Sequence, residues 1–165
     1  MRMLRIVAVG VLACAAASAP MSSRSVAAQS GPAAKGAAHD HRAMEQMLTA
    51  FADAWNRHDV DALMSMMTDD GVFESSGGNT VNGERYEGKQ AVRAAYASIF
   101  VTYPDARWNN ARHVVAGDRG FSEWTFTGTM KDGKRVEVTG CDLFTFRDGK
   151  IALKNSYRKN RPPTG

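Results

Sequence analysis

The sequence predicts an α+β domain in which helices come first and an antiparallel meander follows. Three observations carry that expectation. Apolar residues recur at helical spacing up to about Phe100 and alternate from Arg107 onward. The alternating half is punctuated by "GDRG", "KDGK" and "RDGK", and Asp-Gly in a two-residue loop favours a hairpin because a type I′ turn needs positive φ at both central positions. A sheet of that size must cover one face, and the preceding helices are the available cover.

Residues 1–28 read as a secretory signal peptide. Arg2 and Arg5 precede an apolar run from Ile6 to about Ala19, and "SVAAQS" places the small residues Val26 and Ala28 before Gln29. The run is shorter than the ~20 apolar residues of a spanning helix, so the mature domain is not expected to be membrane-embedded. Lipoprotein processing at Cys14, in "VLAC", ranks below plain cleavage because Leu12 fits a lipobox poorly. The expectation is an exported protein, periplasmic or secreted.

Cleavage changes the charge. It removes Arg2, Arg5 and Arg24 and no acid, leaving 18 basic against 17 acidic residues instead of a net charge of +4. The high pI therefore gives no argument for a nucleic-acid partner, which needs a basic stripe on one face. Lys154, Arg158, Lys159 and Arg161 cluster near the C-terminus and read as a solvated tail. Only Cys141 remains, so the core must hold without an internal disulfide.

The ordered elements follow. "QSGPAAKGAAHD" (residues 29–40) is small, Gly- and Pro-bearing and aperiodic, and reads as a flexible linker before a domain over residues 41–160. The histidines of "HDH", His39 and His41, lack a third ligand, so no metal is expected there. Met44, Met47, Leu48, Phe51 and Trp55 form the first helical stripe, and Asp59 can cap a second helix with the stripe Val60, Leu63, Met64 and Met67, ending at "DDG". "VFE" reads as a short strand, and "SSGGNTVNGERYEG" as a long functional or mobile loop. A third helix runs from about Lys89 to Phe100, with Val92, Tyr96 and Ile99 inward. The meander strands are expected near 107–116, 120–130, 135–147 and 150–158, with residues 161–165 as a disordered tail.

Asp142 is the unusual residue. It alternates with Val136, Val138, Gly140, Phe144 and Phe146. Counting back from a two-residue loop at Asp148-Gly149 sets Asp142 opposite Asn155, with Tyr157 on the diagonal. The same count through Asp132-Gly133 sets Glu123 beside Asp142, which would raise the pKa of one carboxyl. A one-residue bulge would invert that strand, sending Trp124 and Phe126 inward and Glu123 away. An acid on an apolar face is either a structural group, held by Asn155 and strand amides, or the proton donor or acceptor at the floor of a pocket.

In this order and spacing, "FADAWNRHDVDALMSMMTDDGVF", "YEGKQAVRAAYASIF", "EWTFTGT" and "VTGCDLFTFRDGKI" resemble the SnoaL-like family of the nuclear-transport-factor-2-like superfamily, over roughly Met44 to Arg158. The resemblance implies three N-terminal helices packed in the concave face of a curved antiparallel sheet, a cone with an internal pocket, and often a homodimer through the outer sheet face. The superfamily includes polyketide cyclases, ketosteroid isomerase, dehydratases and ligand-binding members, so fold does not imply function. The resemblance to ketosteroid isomerase puts Asp142 where that enzyme keeps a protonated aspartic acid that donates to an oxyanion. The enzyme's tyrosine donor falls on Phe51 and its base on Ser75, so isomerisation by that mechanism is not expected.

The expected site is therefore Asp142 as the catalytic acid or base, with Phe51, Trp55, Phe73, Glu123, Phe144, Asn155 and Tyr157 around a small, mostly apolar ligand. No cofactor or metal is expected, since no HExxH, paired Cys, phosphate loop or dinucleotide fingerprint occurs. Ser75 and Ser76 have no nucleophile elbow around them. His58 reads as a structural turn residue. Alternation does not decide which side His113 faces: it is a general base if it faces the pocket, and a surface or interface residue is the favoured reading. Two function classes remain: an acid/base isomerase, cyclase or dehydratase, and a non-catalytic ligand-binding or dimeric interaction module.

Overall fold

The computed structural model describes the backbone from Pro32 to Gly165 and side-chain surroundings from Asp40. The expected leader and its cleavage site lie outside the described residues. Helix α1 (Pro32–Asn56) begins inside the segment expected to be a linker. Pro at a helix start loses no needed N–H, and the alanines at 33, 34, 37 and 38 are the best helix formers, which outweighs the absence of an apolar stripe.

His58, at φ 56°, reverses the chain, and Asp59 caps α2 (Val60–Ser65) by accepting from the Ala62 N–H at 2.9 Å. Helix α2 stops earlier than the stripe suggests. Met67 opens strand β1 (Met67–Glu74) because the sheet captures the chain there: the Ile151 N–H donates to the Met66 carbonyl at 2.9 Å. The loop expected after "VFE" contains the short strand β2 (Arg85–Glu87), paired antiparallel to β1. Helix α3 (Lys89–Thr102) then leads into β3 (Arg107–Ala116), β4 (Arg119–Thr129), β5 (Arg135–Arg147) and β6 (Lys150–Arg158). The sheet order is β2-β1-β6-β5-β4-β3. It is mixed, because β1 runs parallel to β6 beside the antiparallel meander.

The helices cover one face of this sheet. Phe51 from α1 meets Trp55, Tyr96 and Phe144 edge-on, with centroids 6.2, 6.4 and 6.0 Å apart. Leu48, Leu63, Met64, Val92 and Ile151 complete a buried core.

Both expected hairpin registers are one residue off at the site. At β5–β6 the two-residue turn forms as expected, with Asp148 at φ 52° and Gly149 at φ 70°. Arg147 pairs with Lys150 and Phe146 with Ile151, but Thr145 then pairs with Leu153. Ala152 is an extra residue, a β-bulge, so Asp142 opposes Ser156 and Asn155 opposes Leu143. At β4–β5 only Gly133 has positive φ, and Met130 N–H donates to the Lys134 carbonyl at 2.8 Å. The loop is thus three residues, Lys131 to Gly133, which favours a glycine at its last position. Glu123 consequently opposes Cys141, and Trp124 and Phe126 turn inward. The C-terminal residues are not a free tail, since Thr164 exchanges backbone hydrogen bonds with Arg135 at 2.7 and 2.9 Å.

Candidate functional site

A cavity of about 430 Å³ opens between the sheet, α1, α3 and the loop after β1. Trp55, Trp108 and Trp124, all three tryptophans of the chain, line it with Phe73, Tyr86, Tyr103 and Phe126. Its polar groups are Lys154 and Ser156 at the floor and Ser75, Ser76, Glu84 and Arg158 toward the mouth. That volume is within the range of small-molecule sites, and such walls exclude water from one end of a ligand.

The floor is built by the Ala152 bulge. It turns the strand so that Ile151, Lys154 and Ser156 all point inward, buried alongside Asp142. Lys154 Nζ donates to Asp142 Oδ1 at 2.8 Å and to Ser156 Oγ at 2.6 Å. Ser156 Oγ–H donates to Asp142 Oδ1 at 2.6 Å, and Trp124 Nε1–H to Asp142 Oδ2 at 2.9 Å. The side chains of Lys154 and Asp142 are only 5% and 6% exposed. Asp142 thus accepts three hydrogen bonds, one of them from an ammonium. Two of the lysine's three N–H groups are used in this cluster. Its Nζ also lies 4.9 Å from the Phe73 ring centroid and 5.7 Å from that of Trp55, both favourable for a cation.

Gly140 makes the Trp124 contact possible. It pairs with Trp124 across the strands, and a Cβ there would collide with the indole ring and with the Tyr157 carbonyl. The indole lies over this gap and reaches Asp142.

The expected site residues separate into three places. Trp55 and Phe73 line the cavity. Phe51 and Phe144 are buried next to it, around a void of about 20 Å³ that also touches Asp142, His113 and Ser122. Asn155, Tyr157 and Glu123 lie on the outer face of the sheet, which corrects their expected place beside Asp142. Asn155 Nδ2 donates to Tyr157 Oη at 3.1 Å, Tyr157 is 51% exposed, and Glu123 faces Arg112 at 3.6 Å. Glu123 and Tyr157 border a separate outer concavity of about 730 Å³, together with Cys141. Burial raises the Cys141 thiol, with the Asp142 and Glu123 carboxylates adding to it, so the thiol is a poor nucleophile.

Lys154 is the group that sequence reasoning missed. The signal was the run Ile151-Ala152-Leu153, three apolar residues where alternation calls for two, which marks a bulge. His113, whose side alternation left open, turns inward. Its Nδ1 is 2.7 Å from Ser122 Oγ, and burial holds its pKa below the ordinary value against the opposing pull of Asp53, Glu45 and Asp142. His58 is structural as expected, stacked on Phe100 at 4.2 Å with Nε2 3.0 Å from the Ala106 carbonyl. The Tyr96 phenol lies well above its ordinary pKa, through burial and then the Asp142 charge, and donates to Met67 Sδ at 3.3 Å. No cluster of three His, Cys, Asp or Glu suited to a metal occurs among the described residues.

Solved structures with this fold are numerous. A candidate polyketide cyclase from Xanthomonas campestris pv. campestris superposes with TM-score 0.66 at 20% identity, covering 73% of this chain and 93% of its own. A nuclear-transport-factor-2-like protein of unknown function from Mesorhizobium loti is 28% identical, with TM-score 0.61 and the same coverages. A protein of ketosteroid isomerase-like fold from Catenulispora acidiphila, solved with trimethylamine, gives TM-score 0.60 at 21% identity, covering 67% and 83%. No curated protein matches the chain in sequence. The SnoaL-like domain family matches residues 48–154, more than half of the 165 residues. The chain belongs to the SnoaL-like family of the nuclear-transport-factor-2-like superfamily.

Proposed function

We propose that this is a small-molecule-pocket protein whose aromatic cavity takes a flat, largely apolar ligand and meets its polar end with Lys154. The observation that carries the reading is the Lys154 ammonium at the floor of the cavity, fixed by Asp142 and Ser156. Asp142 is not among the cavity-lining residues and all its hydrogen bonds go to protein donors, so its role is to hold the lysine charge in place. The trimethylamine ligand of the Catenulispora protein is an amine. In this chain Lys154 brings its own cation to the Phe73 and Trp55 rings, which disfavours a second one.

Acid/base turnover, as an isomerase, cyclase or dehydratase, is the second reading. It is favoured by the retained Asp142, which reaches the cavity through Lys154 and Ser156, and by the polyketide cyclase assignment of a structural neighbour. In that case Lys154 stabilises a developing enolate oxygen and Asp142 orients it. Against it, the one carboxylate that lines the cavity among the described residues is Glu84, at the mouth. Export through the N-terminal leader and homodimer formation across the outer concavity belong to the same proposal, supported by the leader's composition and by the exposure of that face.

Tryptophan emission tests the pocket directly, because every tryptophan lines it. A panel of flat aromatic carbonyl compounds is titrated into the wild type and Lys154→Met/Asp142→Leu. Quenching that saturates in the wild type and weakens in the double variant supports the pocket and its polar floor. Equal quenching in both proteins removes Lys154 from the reading. Conversion of a bound compound, followed by mass spectrometry and abolished in the double variant, selects the enzyme.

A further inference from the structure

We infer that the ligand is a planar aromatic acid, seated with its anionic oxygen on Lys154 Nζ and its ring between the cavity's aromatic walls. This rests on the pocket reading above and adds the charge of the ligand to it.

Three features point to an acid. Lys154 keeps one N–H beyond those given to Asp142 and Ser156, and its Nζ lies beside the Phe73 and Trp55 rings that bound the cavity. A ligand oxygen there completes the ammonium's three donors, and an anionic oxygen adds the attraction of opposite charges in a poorly solvated place. Trp55, one of the lining residues, is 3% exposed, and its Nε1–H has no hydrogen-bond partner among the described residues; an oxygen-bearing occupant that reached it would satisfy a buried donor. Arg158 borders the mouth and forms no ion pair among the described residues. The cavity lining thus carries two cations, Lys154 paired with the buried Asp142 carboxylate and Arg158 at the mouth, against Glu84, which stands exposed at the loop end.

The walls set the shape. Seven of the fifteen lining residues are aromatic and Ile99 is the one aliphatic among them, so rigid rings bound most of the space. A flat ring packs face-on or edge-on against such rings, while a branched aliphatic acid does not. The carboxylate of Asp142 does not oppose this seating strongly, because it is shielded from the cavity by the lysine and serine that hold it.

Three probes of one shape and different charge decide it: 2-naphthoate, 2-naphthamide and 2-naphthylmethylammonium, each measured by calorimetry on the intact protein with tryptophan emission reporting location. The expected result is binding of the acid at least ~10-fold tighter than the amide, no measurable binding of the ammonium compound, and weakening of the acid with rising salt. Arg158→Gln, at an exposed position that does not threaten folding, weakens the acid and leaves the amide unchanged. Lys154→Met/Asp142→Leu narrows the gap between acid and amide, and adding Arg158→Gln closes it. Equal binding of acid and amide, or preference for the ammonium compound, overturns the acid assignment and leaves the pocket reading standing. Failure of all three probes to bind or to alter tryptophan emission overturns both.

Discussion

The two faces of the β5–β6 hairpin hold polar groups of similar kind under opposite conditions. Inside, Asp142, Lys154 and Ser156 are buried, mutually bonded and next to aromatic rings. Outside, directly across the same strands, Asn155 and Tyr157 bond to each other in contact with water, and Glu123 faces Arg112 across the next pair. Identical chemistry counts differently on the two sides. An inner group that loses its partner keeps its charge in a poorly solvated place, whereas an outer one is rehydrated. The inner cluster is therefore where substitutions report on the site, and the outer cluster is the control.

The largest expected effect comes from breaking the inner pair on one side only. Lys154→Met leaves the Asp142 carboxylate buried without its cation and should lower stability by about 3–5 kcal/mol in urea unfolding. Adding Asp142→Leu should recover part of that loss, because it removes the stranded charge while leaving the Trp124 and Ser156 donors without their acceptor. A double variant no more stable than the single one would mean that the pair is not the source of the loss. Gly140→Ala comes next. The added methyl displaces the Trp124 ring from the strand and should cost about 1–3 kcal/mol while shifting tryptophan emission. Trp124→Phe removes a single donor from Asp142 and should cost about 1–3 kcal/mol, with Lys154 and Ser156 still in place.

A smaller effect depends on pH. His113 has its pKa held down in the folded protein, so the unfolded chain takes up its proton first as pH falls. Its contribution to stability is complete above the ordinary value of about 6.5 and declines as pH drops through the folded value. Burial sets this direction; Glu45 and Asp53 on α1 and Asp142 on β5 reduce its size. His113→Gln should flatten the stability profile below about pH 6.5, and an unchanged slope would assign it to another group. At the small end, Asn155→Ala and Tyr157→Phe should each shift stability by less than about 0.5 kcal/mol and leave cavity binding unchanged. A loss as large as that of Trp124→Phe would erase the contrast between the faces.

The architecture was legible because it rests on long periodic signals. The helical stripes of α1 and α3, the Asp59 cap and the alternating strands of the meander all stand where the sequence places them. The parallel docking of β1 on β6 was not, since strand order depends on contacts far apart in the chain. Asp142 was legible as a polar group on an apolar face. Its partners were not, because they depend on strand parity, and parity was decided by two local events. One is a three-residue loop where Asp-Gly suggested two, and the other is the extra residue at Ala152. Each moves the pairing by a single position, and a single position exchanges Asn155 for Ser156 and Glu123 for Trp124.

The residue at 152 also governs how this chain should be set against its relatives. In a homologue whose last strand lacks the extra residue, a gapless alignment of the strand's C-terminal half would match Lys154 with the correct spatial counterpart while the half nearest the turn slides by one column. Anchoring on the turn would do the reverse and pair the lysine with a position on the solvent side. Surveys of which members carry a floor cation therefore need a one-residue gap at this point, and without it a shared charge would be scored as a substitution.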